Sequence, residues 1–264
     1  MEVAEARRVL LEQRSEGSIR STFGEKGLLR HREDGCLKLR IPYGSTDAIL
    51  INTSGGLAGG DRISAHLTIA KGATFSVASQ AAERVYGSLG PAAEIRHEFT
   101  VEEQASLYWL PQETILFDGA ALKREMNVYL ATGASFLAAE SIVLGRTAMG
   151  EQVNELHLRD SWNIWRGGEL IHAERLSFGA AVPQSAATLG NAKAFATVLL
   201  VSDGTEKLLP LLHKALGDKS GVSSWNGKLL ARLVADDGFQ LRKQLKTVLT
   251  ACLGGRPLPQ TWLM

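Results

Sequence analysis

Five acidic residues stand in apolar or glycine-rich stretches, where an ionised side chain is unexpected. Asp61 follows a glycine cluster, Glu113 lies in "LPQETILFDGA" and Glu140 lies in "FLAAESIVLGR". Glu151 and Glu174 occupy "TAMGEQ" and "LIHAERLSF". A carboxylate in such a setting is costly unless it is paired, bound to a metal or facing water. The pattern therefore predicts either ion pairs or a polar path inside the protein.

Pairing with a neighbouring arginine is the simplest structural role for these acids. Arg62, Arg146 and Arg175 each lie near one of them in the sequence. An ion pair would neutralise a buried carboxylate locally, whereas several acids that face one another would line a route for a cation. The sequence alone leaves both roles open.

The stretch "NTSGGLAGGDR", residues 52–62, is too glycine-rich to be an ordinary turn. A glycine loop that binds phosphate opens a helix, because the helix N-terminal amides hold the anion. Here the following residues, "ISAHLTIA", alternate apolar and polar, which is typical of a half-buried strand. The P-loop GK[ST] is also missing. We therefore predict that these glycines allow positive φ or a close approach of two chain segments.

A repeat organises the strands that must position these residues. The segments "HLTIAKGATF" (66–75), "EFTVEEQASL" (98–107) and "NVYLATGASF" (127–136) share one pattern, at offsets of 32 and 29 residues. Each has an alternating strand, a short turn and then a small residue, alanine, serine or threonine, and an aromatic residue or leucine. A weaker fourth copy is "WNIWRGGELI" (162–171). Repeats of this period indicate stacked supersecondary units. We expect a sheet-rich, elongated body.

The C-terminal third has a different pattern. "AFATVLLV" and "KLLARLVA" predict strands, and a helix is expected from a cap at Asp203 to about Leu216, kinked or shortened by Pro210. A second helix is expected in "DGFQLRKQLKTVLTACLGG", with one apolar face. That face comprises Leu241, Leu245, Val248, Leu249 and Cys252. The predicted fold is mainly β, within an α+β class, and forms one domain over 1–264. Its body, to about residue 180, is β-helical or built of stacked hairpins. A β-α-β-α element with two helices follows over about 190–264.

Composition excludes several classes of function. Lys and Arg total 29 against 28 Asp and Glu, a net charge of +1, so no basic patch for nucleic acid or an anionic membrane is expected. The longest apolar stretches fall short of the roughly 20 residues of a membrane span, and the N-terminal residues resemble no leader sequence. We expect a cytoplasmic protein. The six histidines lie at least 15 residues apart and the two cysteines form no CxxC, so no local metal motif is present.

The motifs "NTSGGLAGGDR", "LPQETILFDGA", "ESIVLGRTAMGE" and the closing "GGRPLPQTWLM" together resemble the urease accessory protein D family, of the UreD/UreH type. The similarity runs from about residue 40 to the C-terminus. It implies a non-enzymatic chaperone with an unusual β-helical fold and two helices. It further implies partners: urease apoprotein, accessory protein F and, through the complex, accessory protein G, a GTPase that supplies nickel and the nucleotide chemistry.

The resemblance also assigns roles to individual residues. It implies a transient nickel path that includes Asp61 and Glu174, with Glu140 as a further candidate, and no tightly bound cofactor or catalytic residue. Carboxylates and water bind nickel more weakly than clustered imidazoles or thiolates, which suits passage rather than storage. Structural or interface roles fall to Asn52, Gly55, Gly56, Gly59, Gly60, Gln112, Glu113, Arg146 and Glu151.

An enzyme remains the alternative. A hydrolase or isomerase with a β-helical cleft would use Asp61, Glu113 and Glu140 as acid and base. Such an enzyme would be soluble alone and would show saturable turnover. A chaperone with apolar partner surfaces would be poorly soluble alone and would show none.

Overall fold

Two facing β-sheets form the body of the protein. The computed structural model describes residues 14–88, 90–146, 150–179, 181–182, 185 and 188–264. Strands are numbered β1 to β17 in chain order over those ranges. Sheet A contains β1 (Glu16–Gly24), β2 (Gly27–Gly35), β5 (Arg62–Ile69), β8 (Ala93–Val101), β11 (Ala120–Leu130), β13 (Leu156–Arg166) and β14 (Glu169–Phe178).

Sheet B faces sheet A and extends into the C-terminal third. It contains β3 (Leu37–Arg40), β4 (Asp47–Asn52), β6 (Thr74–Ser79), β7 (Glu83–Val85), β9 (Ser106–Trp109), β10 (Thr114–Leu116), β12 (Ser135–Leu144), β15 (Ala194–Val201), β16 (Gly221–Trp225) and β17 (Lys228–Ala235).

The predicted repeat is confirmed by the strand register. In sheet A, His66 pairs with Glu98 and Glu98 pairs with Asn127, all in parallel. In sheet B, Phe75 pairs with Leu107 and Leu107 pairs with Phe136. These are the 32- and 29-residue offsets of the sequence repeat. Each coil thus contributes one strand to each sheet and the coils stack in a solenoid-like manner, which confirms the mainly β fold.

The proposed fourth copy, 162–171, follows the pattern only in its first half. Strand β13 stacks on β11 in parallel, with Asn163 beside Asn127. The chain then turns through Gly167 and Gly168, which have positive φ, and returns antiparallel as β14 in the same sheet. The stack therefore ends in a hairpin at this side. The hairpin β1–β2 ends it at the other.

The space between the sheets is filled mainly by apolar side chains. Phe23 of sheet A contacts Phe75 of sheet B with ring centroids 4.5 Å apart, and Phe99 lies 4.8 Å from the Trp109 ring. Because side chains alternate along each strand, every second residue of the coils points into this layer. A polar residue at such a position is forced into the core, which is how the candidate site arises.

A second apolar layer lies between sheet B and the C-terminal helices. The helices are α1 (Leu209–Ala215), α2 (Gly238–Cys252) and α3 (Gln260–Leu263). The predicted apolar face of α2 is confirmed, because all five of its residues are buried. Asp237 caps α2 by accepting a hydrogen bond from the Gln240 amide at 2.8 Å. Strand β15 pairs with β12, so this element continues sheet B.

The predicted cap at Asp203 is wrong. Gly204 precedes a 3₁₀ helix, Thr205–Leu208, and α1 begins only at Leu209. Pro210 lies in the first turn of α1, where its missing N–H leaves no helical hydrogen bond unmade. Proline thus shortens the helix, as expected. The single-domain boundaries stay a prediction, and residues 1–13 lie outside the described ranges.

Within the described ranges, no helix combines the length and the apolar character that crossing a membrane requires.

Candidate functional site

Charged and polar side chains form a line across the otherwise apolar layer between the sheets. We call it the polar line; it comprises Asn52, Glu83, Thr114, Arg124, Glu140, Asp160, Glu174 and Arg232. It runs across the strands, along the direction in which the coils stack, from β4 and β7 at one side to β14 and β17 at the other. Each member occupies a strand position, so the register of the sheets fixes its place.

Arg124 is the centre of the polar line. Its guanidinium is almost fully buried, with 3% of the residue exposed, and it contacts two buried acids, Glu140 and Asp160. Asp160 is its neighbour across the β11–β13 pair, whereas Glu140 comes from sheet B. Arg124 also donates to the Thr114 hydroxyl at 3.3 Å. Trp109 completes the cluster by donating its indole N–H to Glu140 at 3.0 Å.

The charged groups of this cluster shift one another's pKa values. Burial opposes the ionised form of Arg124, but the charges of Asp160 and Glu140 outweigh it and raise the guanidinium pKa. Burial raises the pKa of Glu140, against the lowering effect of Arg124. A buried ion pair costs desolvation that only good geometry recovers, and removing one partner leaves an uncompensated charge. Arg124 therefore stays cationic and holds both acids.

A cavity of about 210 Å³ lies on one side of Arg124. It begins near the surface at Gln80 and Ala81, which are exposed, and ends at the buried Arg124 and Glu140. A cavity of this size with polar side chains such as Glu83 and Gln112 in its wall has room for several water molecules. It therefore links the solvent to the centre of the polar line.

Asn52 and Glu83 form a polar pair in the wall of this cavity. The Asn52 amide nitrogen lies 3.1 Å from each Glu83 carboxylate oxygen. Burial raises the pKa of Glu83 to about 7, despite the Asn52 hydrogen bond, with a further contribution from the charge of Asp61. Glu83 therefore changes its protonation state near neutral pH, at the side of the cavity that is nearer the surface.

We expect Glu83→Gln to remove a pH dependence of stability. In the wild type, raising the pH from 4.5 to about 7 ionises Glu83 in the unfolded chain while the folded chain keeps the proton, so the free energy of unfolding falls. Above that window the loss is constant, at up to about 3 kcal/mol. Urea unfolding at pH 5 and pH 8.5 should show a smaller decrease in the variant. An equal decrease in both proteins would contradict the assignment.

His97 lies in the same cavity wall as a neutral imidazole. Burial, with the nearby charge of Arg124, lowers its pKa to about 3. Its ring packs on Trp109 with centroids 4.6 Å apart, and its Nδ1 atom has no hydrogen-bond partner among the described residues. Its position on a strand agrees with the sequence, which gave no indication of the cavity beside it.

Glu174 lies at the far end of the polar line. It accepts a hydrogen bond from Arg232 of β17 at 2.6 Å, and the His172 Nε2 atom lies 4.0 Å from the same oxygen. The suggested pairing with Arg175 is wrong: Arg175 donates to the carbonyl oxygens of Trp162 and Glu174 and points to the other face of the strand. The partner of Glu174 is remote in sequence because it comes from the opposite sheet.

Asp61 is buried but its oxygens are engaged by the backbone. Oδ1 accepts from the Ser15 amide and Oδ2 from the Ala58 amide, each at 2.8 Å. The suggested pairing with Arg62 is wrong, because Arg62 instead lies 3.6 Å from Glu16. Asp61 does not line the cavity, although its charge acts on Glu83. The carboxylate thus fastens the glycine loop and the chain segment that precedes β1.

The glycine cluster does shape the backbone, in both of the ways that were predicted. Gly55, Gly56 and Gly60 have positive φ, which is +141° at Gly56. Gly59 has an ordinary φ, but a Cβ there would lie 2.7 Å from the Pro91 carbonyl oxygen. The loop connects β4 to β5, and Gly55 and Gly56 reach the cavity wall.

Gln112 and Glu113 connect the cavity to the C-terminus. The Gln112 side chain donates to the Thr261 carbonyl oxygen at 3.3 Å and accepts from Arg242 at 2.5 Å. Glu113 lies 3.5 Å from the same arginine. Gln112 lines the cavity, so these contacts hold its wall against α2 and α3.

Arg146 and Glu151 form the ion pair that their proximity in sequence suggested, at 2.9 Å. Glu151 also accepts from the Asp118 amide at 3.3 Å, and the Arg146 guanidinium stacks over the Phe117 ring at 4.7 Å. The pair stabilises a loop away from the polar line. Residues 147–149 of the same motif lie outside the described ranges.

Sequence analysis missed five members of the polar line: Glu83, Thr114, Arg124, Asp160 and Arg232. A signal existed for two of them. Arg124 lies two residues from the apolar Leu122 and Met126, and Asp160 lies two residues from Leu158 and Trp162. Every second residue of a strand faces the same side, so this spacing places both charged side chains inside the body. Glu83 lies on a strand of three residues, which is too short to show a period.

No group of three or more His, Cys, Asp or Glu side chains arranged to hold a metal ion is found among the described residues.

Fold and site together define a class of protein: a solenoid-like, mainly β body with a line of ionisable side chains in its interior. Glycine and acid motifs hold its loops. A family model described as UreD urease accessory protein matches residues 14–263. The chain belongs to this family, and the resemblance found in the sequence is confirmed.

Curated relatives agree over nearly the whole chain. The urease accessory protein UreD of Rhizobium leguminosarum bv. trifolii (strain WSM2304) is 44% identical over 264 residues, 95% of this chain and 96% of that protein. UreD of Mesorhizobium japonicum (strain LMG 29417 / CECT 9101 / MAFF 303099) is 42% identical over 252 residues, 92% of this chain and 90% of that protein. UreD of Agrobacterium fabrum (strain C58 / ATCC 33970) is 41% identical over 236 residues, 87% and 83% of the two chains.

Proposed function

We propose that this chain is a cytoplasmic, non-catalytic chaperone that helps to deliver nickel to urease apoprotein. In this proposal it bridges urease to accessory protein F, and through the complex to the GTPase accessory protein G, and it retains no cofactor. The observation that carries the proposal is the polar line, because a folded body of this size has little other reason to place so many ionisable groups across its core.

The polar line suits the passage of a divalent cation. Oxygen ligands dominate it, and carboxylates with water bind nickel reversibly where clustered imidazoles or thiolates would retain it. A conduit must bind its ion strongly enough to admit it and weakly enough to release it. We assign Glu140 and Glu174 to the path, and Asp61 to its charged surroundings beside Glu83.

Exposed apolar side chains support a role in protein assembly. Leu211 on α1, Phe239 on α2 and Leu263 on α3 are all largely exposed, although their neighbours in the same helices are buried. Exposed aromatic and aliphatic side chains of this kind favour contact with another protein. They also give a reason to expect poor solubility of the chain alone.

The enzyme alternative gains no support from the positions of its acids. Of Asp61, Glu113 and Glu140, only Glu140 lines the cavity. Asp61 is bound by backbone amides, Glu113 faces Arg242 and Glu140 faces Arg124. An acid and a base acting on one substrate must reach the same point, and these three have separate partners.

The experiment is Glu174→Gln, in cells that co-express the urease subunits and the accessory proteins. Glutamine keeps the volume and an acceptor for Arg232 while removing the charge. We expect the complex with accessory protein F and urease apoprotein at normal yield, but a several-fold lower nickel content in the recovered urease, measured by elemental analysis.

Glu98→Gln is the matched control, because Glu98 lies on the exposed outer face of sheet A. It should leave both complex yield and nickel content unchanged. Full nickel loading through Glu174→Gln would overturn the path assignment. Failure of the wild-type chain to retain accessory protein F or urease apoprotein at low salt would overturn the chaperone role itself.

A further inference from the structure

The polar line is interrupted at Arg124. On one side lies the cavity of about 210 Å³ that reaches the surface, and on the other a void of only about 10 Å³ lined by Asp160 and Glu174. Arg124 and Glu140 line both spaces. A cation entering from the cavity therefore meets a fixed positive charge before it can reach Glu174.

The guanidinium occupies the place that such a cation would need. It lies between Glu140 and Asp160, the two acids that meet at the middle of the polar line. Two buried carboxylates that hold one cationic group between opposite sheets offer oxygen ligands of the kind that a hard or borderline divalent cation binds. Arginine fills it here as a cation built into the chain.

With both acids ionised, the cluster is one positive charge short, and burial of Glu140 raises its pKa in the same sense. Arg124 contributes one positive charge against two carboxylates, and the nearby Arg232 is already paired with Glu174. The Asp160 Oδ1 atom is buried and has no hydrogen-bond partner among the described residues. A divalent cation in place of the guanidinium would neutralise both acids, and the Asp160 Oδ1 atom would become one of its ligands.

Arg124 has room to leave. Beyond its contacts with the acids it reaches the Thr114 hydroxyl, which lies in the cavity wall. A guanidinium that moved to the Thr114 side would enter a cavity with room for water, which could solvate its charge. The arrangement thus permits two states, with either arginine or a metal ion between the carboxylates.

We propose that Glu140 and Asp160 form a divalent cation site, that Arg124 occupies it in the resting chain, and that displacement of Arg124 opens the route to Glu174. This inference rests on the proposed nickel path and adds to it a gate and a second acid, Asp160. It explains why the Asp160 Oδ1 atom has no hydrogen-bond partner among the described residues and why the cavity ends at Arg124.

The test is the effect of nickel chloride on the melting temperature of purified Arg124→Met. Without metal, the variant leaves two buried carboxylates unpaired and should melt well below the wild type. Nickel at about a hundred times its dissociation constant should raise the melting temperature of the variant by roughly 5 °C or more. The wild type should shift much less, because arginine holds the site. Equilibrium dialysis should find about one more nickel ion per chain in the variant than in the wild type.

The triple variant Arg124→Met/Glu140→Gln/Asp160→Asn is the matched control, since it lacks both charged ligands and should lose the additional shift. Arg124→Lys keeps a positive charge that cannot bridge both acids and should show an intermediate shift. If Arg124→Met is insoluble without metal, nickel in the growth medium should restore soluble Arg124→Met but make no difference to the triple variant.

Two results would overturn the proposal: an Arg124→Met protein that responds to nickel no more than the wild type, or a shift that persists in the triple variant. Both measurements use the isolated chain and require no urease. If Arg124→Met binds nickel but Glu174→Gln still delivers nickel normally, the cation site is supported and the nickel path is rejected. The two proposals can therefore be tested independently.

Discussion

Replacement of Trp262 by alanine is expected to lower the free energy of unfolding by about 3–5 kcal/mol. Trp262 lies in the last helix, α3, yet it is only 1% exposed. Its indole N–H donates to the Leu110 carbonyl oxygen at 2.8 Å, and the Arg242 guanidinium stacks over its ring at 4.9 Å. The substitution removes a large buried ring and leaves that carbonyl oxygen without its partner.

Leu263→Ala is the matched control for this prediction. Leu263 is the next residue in the same helix and is 65% exposed, so its truncation should change stability by no more than about 0.5 kcal/mol. Urea denaturation followed by circular dichroism would measure both variants. Equal stability of the two would show that α3 does not hold the C-terminus as described.

The effect of Trp262→Ala should also reach the cavity. Gln112 in the cavity wall binds the Thr261 carbonyl oxygen, and Arg242 contacts Gln112 and the Trp262 ring. Loss of the ring removes the support of this group. The closing "PQTWLM" motif is thus explained by packing, because its buried residues fix one wall of the candidate site.

The second large effect is expected for Asp61→Ala, with a loss of about 3–6 kcal/mol in the free energy of unfolding. A hydrogen bond to a charged acceptor contributes about 1.5–3 kcal/mol, and the buried Asp61 accepts two from backbone amides. Without them, Ser15 and Ala58 lose their acceptor and the glycine loop loses its anchor. Urea denaturation measures the loss, and limited proteolysis should show faster cleavage at the loop.

Asp118→Ala provides the comparison for Asp61. Asp118 also accepts from two backbone amides, those of Asn154 and Glu155, but it is exposed and water can replace it. Its substitution should therefore cost clearly less. If Asp61→Ala kept wild-type stability and complex assembly but failed to deliver nickel, Asp61 would act on the cation itself and the loop role would be rejected.

Local patterns predicted much of the fold. The 32- and 29-residue offsets anticipated the stacking of β5, β8 and β11, because each coil repeats the same alternation and turn. The apolar face of α2 followed from helical periodicity. The end of the stack at β14 was missed, since "RGG" can turn the chain either into the next sheet or back along the same one.

The ion-pair partners of the acidic residues were harder to predict than the strand positions of those residues. Arg146 and Glu151 are five residues apart and were paired correctly. Glu174 was matched with its neighbour Arg175, but adjacent residues of a strand point to opposite faces, and its partner Arg232 belongs to the facing sheet. For the same reason the contact between Arg124 and Glu140 could not be found without the register of both sheets.

Because the coils are stacked, the length of the polar line is a whole number of strand spacings. In sheet A, from β11 through β13 to β14, the line crosses two strand spacings of about 4.8 Å each, a distance of roughly 10 Å. Because every coil adds one strand to each sheet, insertion of a coil would lengthen this interior route by a single step while the hairpins at both ends kept their form. The length of the polar line in such a protein is therefore set by its number of repeats.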